Sequence, residues 1–142
     1  MARFYGQYEH SVDPKGRLIL PAKFRAFFEQ GGAGGYLTQE SEGCLGLYTP
    51  DEFEEKSDAM QALAKQGTDE RNMVRLWASR TAQVEIDRQG RLAIPLPLRS
   101  YAALENEVLV MGAIERVELW DPSRWTERIA PQEENLMAGG IA

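Results

Sequence analysis

The 142-residue chain contains one cysteine and one histidine. A lone Cys44 excludes an internal disulfide framework and any cysteine-rich zinc site. A lone His10 excludes a histidine metal cluster and leaves no histidine-based acid–base pair expected for catalysis. A catalytic thiol at Cys44 would need that histidine beside it, and the plainer reading is a small buried or loop cysteine. No apolar run approaches the roughly 18 residues of a membrane span, so no membrane partner is expected. The N-terminus, M-A-R-F-Y-G-Q-Y-E-H, lacks the roughly 7–15-residue apolar core of a secretory signal. The glycine-rich stretch G-G-A-G-G (31–35) lacks the Gly-Lys-Ser/Thr ending of a phosphate loop and reads as a flexible connector. The carboxylates of 51–58 lie on a polar helix with no apolar pocket signal. No cofactor and no enzymatic activity are expected, and the reducing cytoplasm is the expected compartment.

What is present is enough apolar residue, 43% of the chain, for one compact domain or two small halves sharing a core. The net charge of −6 argues at first against nucleic acid, but the charge is unevenly spread. Residues 1–30 carry five Lys/Arg against three Asp/Glu, and residues 71–99 carry six against two. Residues 37–70 carry two against nine, and residues 100–142 three against eight. Two basic segments therefore alternate with two acidic ones, which favours segregation of charge onto one surface.

Each basic segment contains a copy of one motif. V-D-P-K-G-R-L-I-L-P (12–21) returns as I-D-R-Q-G-R-L-A-I-P (86–95), 74 residues later. At that spacing Val12, Asp13, Gly16, Arg17, Leu18, Leu20, Pro21, Phe24 and Arg25 meet Ile86, Asp87, Gly90, Arg91, Leu92, Ile94, Pro95, Leu98 and Arg99. L-Y-T-P-D-E-F (47–53) meets L-W-D-P-S-R-W (119–125) at a spacing of 72. So many ordered matches indicate an internal duplication. Each copy reads as strand, hairpin turn, strand, short helix, then strands ending in an aromatic-x-Pro corner.

The turn has a local mechanism. Asp13 suits the first position of a type I turn, Pro14 presets φ at the second, and Gly16 can take positive φ. Asp87, Arg88, Gln89 and Gly90 repeat this without the proline. Pro21 and Pro95 end the strands and open short helices, with a second proline, Pro97, inside the latter. Between the copies, Thr49 and Pro50 open a helix through residue 65, and Thr68 is the cap candidate of another. On that second helix Met73, Leu76, Trp77 and Arg80 share one face. Arg71 and Arg75 form a stripe expected to pair with acids of the preceding helix or a neighbouring subunit. The expected organisation is a first unit at 1–56, a connecting helical segment at 57–80, a second unit at 81–130 and a flexible tail at 131–142.

Duplicated halves usually pack around a local twofold axis, which would bring both hairpins to one side. Arg17 and Arg91 follow the turn glycines, and Lys15 and Arg88 sit at the tips. One such turn alone is more often a plain surface turn. Two copies, in the only basic segments, point instead to contacts with double-stranded DNA, whose phosphates and guanine edges accept paired guanidinium hydrogen bonds. Asp13 and Asp87 are poor phosphate ligands and are read as holding the turn and orienting the arginine. The competing reading is an oligomeric scaffold whose hairpins bind protein.

D-P-K-G-R-L-I-L-P and D-R-Q-G-R-L-A-I-P resemble the Asp-x-x-x-Arg motif of MraZ proteins, in the AbrB-like superfamily of bacterial transcriptional regulators. The resemblance spans about residues 4 to 128 and includes Phe4-Tyr5-Gly6 and both aromatic-x-Pro corners. It implies an α+β fold of two AbrB-like β-rich units in pseudo-twofold arrangement, with short and central helices. It also implies a homo-oligomeric ring, commonly an octamer, in the cytoplasm and at the nucleoid. There it would bind tandem DNA repeats upstream of the division and cell-wall gene cluster. On the same resemblance Arg17 and Arg91 are the motif arginines, Lys15 matches a frequently basic or polar position, and Arg88 rests on charge alone.

Overall fold

Each copy of the repeat forms the same succession of elements in the computed structural model, which describes residues 2–138. The first half contains β1 (Gln7–Ser11), β2 (Arg17–Ile19), α1 (Ala22–Gln30), β3 (Gly34–Gln39), β4 (Leu45–Tyr48) and α2 (Pro50–Ala64). A connecting helix, α3 (Thr68–Arg80), leads to the second half. That half contains β5 (Ala82–Glu85), β6 (Arg91–Ala93), α4 (Leu96–Ala102), β7 (Glu107–Gly112), β8 (Val117–Trp120) and α5 (Pro122–Arg128). The chain is thus α+β, with antiparallel β-pairing.

The halves share their sheets. One sheet has the order β1-β7-β8-β4-β3-β5, which reads the same from either end when each strand is exchanged for its repeat counterpart. The other is the two-stranded ribbon β2–β6. Leu18 lies opposite Leu92 in the ribbon, and Gly46 lies opposite Glu118 where β4 meets β8. A pseudo-twofold axis runs through these two pairings.

The hairpin expectation is corrected here. Each turn is closed by a single bridge between its own arms, Val12 with Leu18 and Ile86 with Leu92. Beyond it the arms part: β1 pairs with β7, β5 with β3, and β2 with β6, always across the halves. The physical reason is burial. An isolated two-stranded hairpin is marginal in water, whereas crossing lets Leu18 and Leu92, both fully buried, meet in one shared core. Around them pack Leu20, Phe24, Phe28, Ile94, Leu98 and Val110, among others. Phe4, strapped to Ile114 by two backbone bonds, adds its ring 5.4 Å from Phe24 and 5.6 Å from Phe28. Each such side chain contributes about 1.5–3 kcal/mol of burial.

The corners use one device twice. Thr49 Oγ1 accepts the Glu52 amide at 3.4 Å and Asp121 Oδ2 accepts the Arg124 amide at 3.1 Å, each just before a proline that starts the helix. Other local expectations change. Gly67, not Thr68, caps α3, and Thr68 is its first residue. Gly34 and Gly35 belong to β3 rather than to a connector. At Gly35 a Cβ would lie 3.2 Å from the Phe28 ring, so the strand needs that glycine for close packing. Arg75 bonds Asn72, and Arg71 bonds Ala64 O and Thr68 rather than an acid of α2. From 130 the chain carries a 3-10 turn (Ala130–Gln132) and a short helix, α6 (Glu133–Ala138). Positions 139–142 of the expected flexible tail lie outside the described residues.

Candidate nucleic-acid interface

Asp13 organises its turn with both carboxylate oxygens. Oδ1 accepts the amides of Lys15 and Arg17, each at 2.9 Å, and Oδ2 accepts Arg17 Nε at 2.8 Å. The backbone closes underneath, with Gly16 N donating to Asp13 O at 2.9 Å and Asp13 N to Arg17 O at 2.8 Å. Gly16 has φ +79°, the left-handed residue that follows a type I turn in this kind of connection. Asp87 repeats the arrangement without the proline. Its Oδ1 accepts the amides of Gln89 and Arg91 at 2.9 Å, its Oδ2 accepts Arg91 Nε at 2.7 Å, and Gly90 has φ +80°. The four-residue spacing from Asp to Arg is therefore what lets one carboxylate close the turn and fix the guanidinium. Both carboxyls are held below their ordinary range, chiefly by the backbone amide of Arg17 or Arg91 and also by that arginine's side chain.

The ribbon brings the two turns together. Arg17 lies opposite Ala93, and Ile19 opposite Arg91. Residues facing each other across an antiparallel pair share a face, so these four occupy the side away from buried Leu18 and Leu92. Arg17 and Arg91 are diagonal neighbours on that face, at a typical spacing of about 7–8 Å. Their side chains retain 29% and 31% exposure. With Nε docked on aspartate, their terminal nitrogens make no further hydrogen bond among the described residues. Lys15 and Arg88 are exposed at the tips.

Two arginines that the repeat aligns, but that the sequence left without a role, come to the same turns. They are Arg25 of α1 and Arg99 of α4. Their only signal in the sequence is recurrence four residues after Pro21 and Pro95.

The remaining candidate chemistry lies elsewhere. Cys44 is fully buried with Leu109, Met111 and Trp120, and burial, then the charges of Glu118 and Glu40, push its thiol well above the ordinary range. An ionic network built on the buried Glu40 stands beside it. Arg116 Nε lies 3.3 Å from Glu40 Oε1, Arg116 Nη2 2.6 Å from Glu118 Oε2, and Arg116 Nη1 contacts Glu115. Tyr48 Oη and Trp120 Nε1 donate to Glu40 and Glu118, each at 2.9 Å. Sequence reading did not single this cluster out, because its members are scattered over two strands and the loops before them.

A family model described as "MraZ protein, putative antitoxin-like" matches residues 3–76 and 78–139. A protein of Acetivibrio thermocellus named "Transcriptional regulator MraZ" is 42% identical over 139 residues, covering 98% of this chain and 94% of its own. Its namesake in Heliobacterium modesticaldum is 38% identical over 136 residues, covering 94% of this chain and 93% of its own. That of Ligilactobacillus salivarius is 42% identical over 133 residues, covering 94% and 91%.

Proposed function

This chain belongs to the MraZ family, and from that premise we propose that it regulates transcription by binding double-stranded DNA with the β2–β6 ribbon. Arg17 and Arg91 make the principal contacts, and Lys15 and Arg88 add charge at the tips. The observation that carries the reading is that Arg17 and Arg91 share the solvent face of a two-stranded ribbon at a pseudo-twofold axis. A ribbon of that kind fits a major groove about 12 Å wide, and guanidinium donors suit both phosphate oxygens and guanine edges. The relatives' name supports the regulatory role.

The same proposal includes assembly. A ring of subunits, as the resemblance implies, would set several ribbons against successive repeats upstream of the division and cell-wall gene cluster. Each weak contact would then be strengthened by effective concentration. Such a regulator works in the cytoplasm, on nucleoid DNA. Met73 and Leu76 on α3, 56% and 51% exposed, support contacts between copies. They equally favour a second reading, a protein-interaction scaffold in which DNA has no part.

Fluorescence anisotropy with DNA from upstream of the protein's own gene separates the two. Arg17→Ala and Arg91→Ala should each weaken binding about 5- to 150-fold, the cost of one lost bidentate contact. Subunit number should stay unchanged by light scattering. Equal competition by scrambled DNA, or undiminished binding by both variants, would favour the scaffold.

A further inference from the structure

Gly16 and Gly90 stand at exposed bends, yet both are buried. What covers each comes from the opposite half. A Cβ built on Gly16 would lie 2.6 Å from Arg99 Cζ, and one on Gly90 would lie 2.7 Å from Arg25 Cζ. Each guanidinium therefore rests on the face of a turn that belongs to the other copy of the repeat. Arg25 Nη1 also donates to Gln89 O at 3.3 Å, bonding the second turn directly. Arg99 is steadied within its own half, Nε donating to Ile94 O just past β6 at 2.8 Å, and covers Gly16 by packing. The backbone makes the same crossing, with Leu20 N donating to Gly90 O at 3.0 Å and Ile94 N to Gly16 O at 2.9 Å.

We infer that Arg25 and Arg99 are crossed positioning residues, each setting the conformation of the opposite half's turn, so that Arg91 depends on α1 and Arg17 on α4. A flat cation on a glycine face is a contact that needs both partners. The glycine must lack a Cβ, and the cation must be planar, which guanidinium is and ammonium is not. The turn glycine thus serves twice, taking the positive φ and offering the bare surface on which the guanidinium lies. The arrangement makes each half's turn depend on the other half, because neither turn is complete without a helix from the other copy.

The inference rests on the DNA-binding reading only for its affinity measurement; the first test does not involve DNA. Hydrogen exchange on the intact protein would compare wild type with Arg25→Ala, Arg25→Lys, Arg99→Ala and Arg99→Lys. Arg25→Ala should speed exchange over residues 87–91 by about three- to tenfold and leave 13–17 unchanged. Arg99→Ala should do the reverse, more weakly because it lacks a bond to the turn. The lysine variants keep charge and stem, and so the fold, and should show the same crossed pattern attenuated. Loosening of each variant's own turn, equal loosening of both turns, or wild-type exchange in the lysine variants would overturn the inference. In DNA binding, Arg25→Ala should be strongly non-additive with Arg91→Ala and additive within about twofold with Arg17→Ala. The opposite pattern would make Arg25 a head for its own half. Loss of all DNA dependence with crossed exchange intact would overturn the DNA reading alone.

Discussion

Asp13 and Asp87 do locally what neither arginine can do for itself. Each carboxylate takes two amides on one oxygen and a guanidinium on the other, trading rotamer freedom for a fixed direction. Because the folded carboxyls titrate below their unfolded values, their stabilisation is complete above the unfolded values and is lost as pH falls through the lowered folded ones. Thermal midpoints from about pH 6 to about pH 2 should therefore fall less steeply in Asp13→Asn/Asp87→Asn than in wild type. Equal slopes would mean that the two aspartates add nothing to folding. Arg116 is the other residue on which several partners depend. Burial disfavours its charge, but Glu118 and Glu40 outweigh that and hold the guanidinium firmly protonated. Arg116→Ala should cost about 3–5 kcal/mol in urea unfolding, because Glu40 is left buried without its counter-charge.

Among the elements, the ribbon is the smallest and the most consequential. Three residues per strand cannot stand alone, so β2 and β6 hold only because Leu18 and Leu92 are sunk into the shared core. Leu18→Ala should cost about 2–5 kcal/mol. Because that side chain lies on the pseudo-twofold axis, exchange protection should fall in both strands of the ribbon together. Loss confined to β2 would contradict the pairing. The corners show how a repeat tolerates change. Thr49 and Asp121 are chemically different, yet each offers one oxygen to the backbone amide of the third residue of a helix. The cap survives because geometry, not side-chain identity, satisfies the orphan donor.

For the whole molecule the question is how an acidic protein would bind the polyanion proposed as its partner. The cations Lys15, Arg17, Arg88 and Arg91 are gathered on the turns and strands of one ribbon, while the segments 37–70 and 100–142 carry the excess of acid. Binding should weaken linearly with log salt, with a slope of about −0.9 per neutralised phosphate. Arg17→Ala should make that slope shallower, whereas Leu76→Lys on α3 should change subunit number and leave the slope per ribbon unaltered. Titrations at several salt concentrations, paired with light scattering, read both. An unchanged slope for Arg17→Ala would mean that its guanidinium meets no phosphate.

Much of this was legible without coordinates, because the turn, its closing aspartate and glycine, the helix starts at proline and the repeat are all short-range features. Local chemistry over four or five residues writes them: carboxylate to amide, positive φ at glycine, proline where no donor is needed. The duplication even announced the pseudo-twofold. What short-range chemistry does not contain is the choice of partner. The two arms of each turn could pair with each other locally, and burial in a core shared by both halves, with Leu18 against Leu92 at its centre, favours pairing across the halves. For the same reason Arg25 and Arg99 carried no signal beyond their repetition. The turn each one covers lies about 65 and 83 residues away along the chain, at Gly90 and Gly16, and packing alone brings them there. The Glu40–Arg116–Glu118 network has the same origin, since the burial of Glu40 and the partial burial of its partners are properties of the assembled fold and not of any segment.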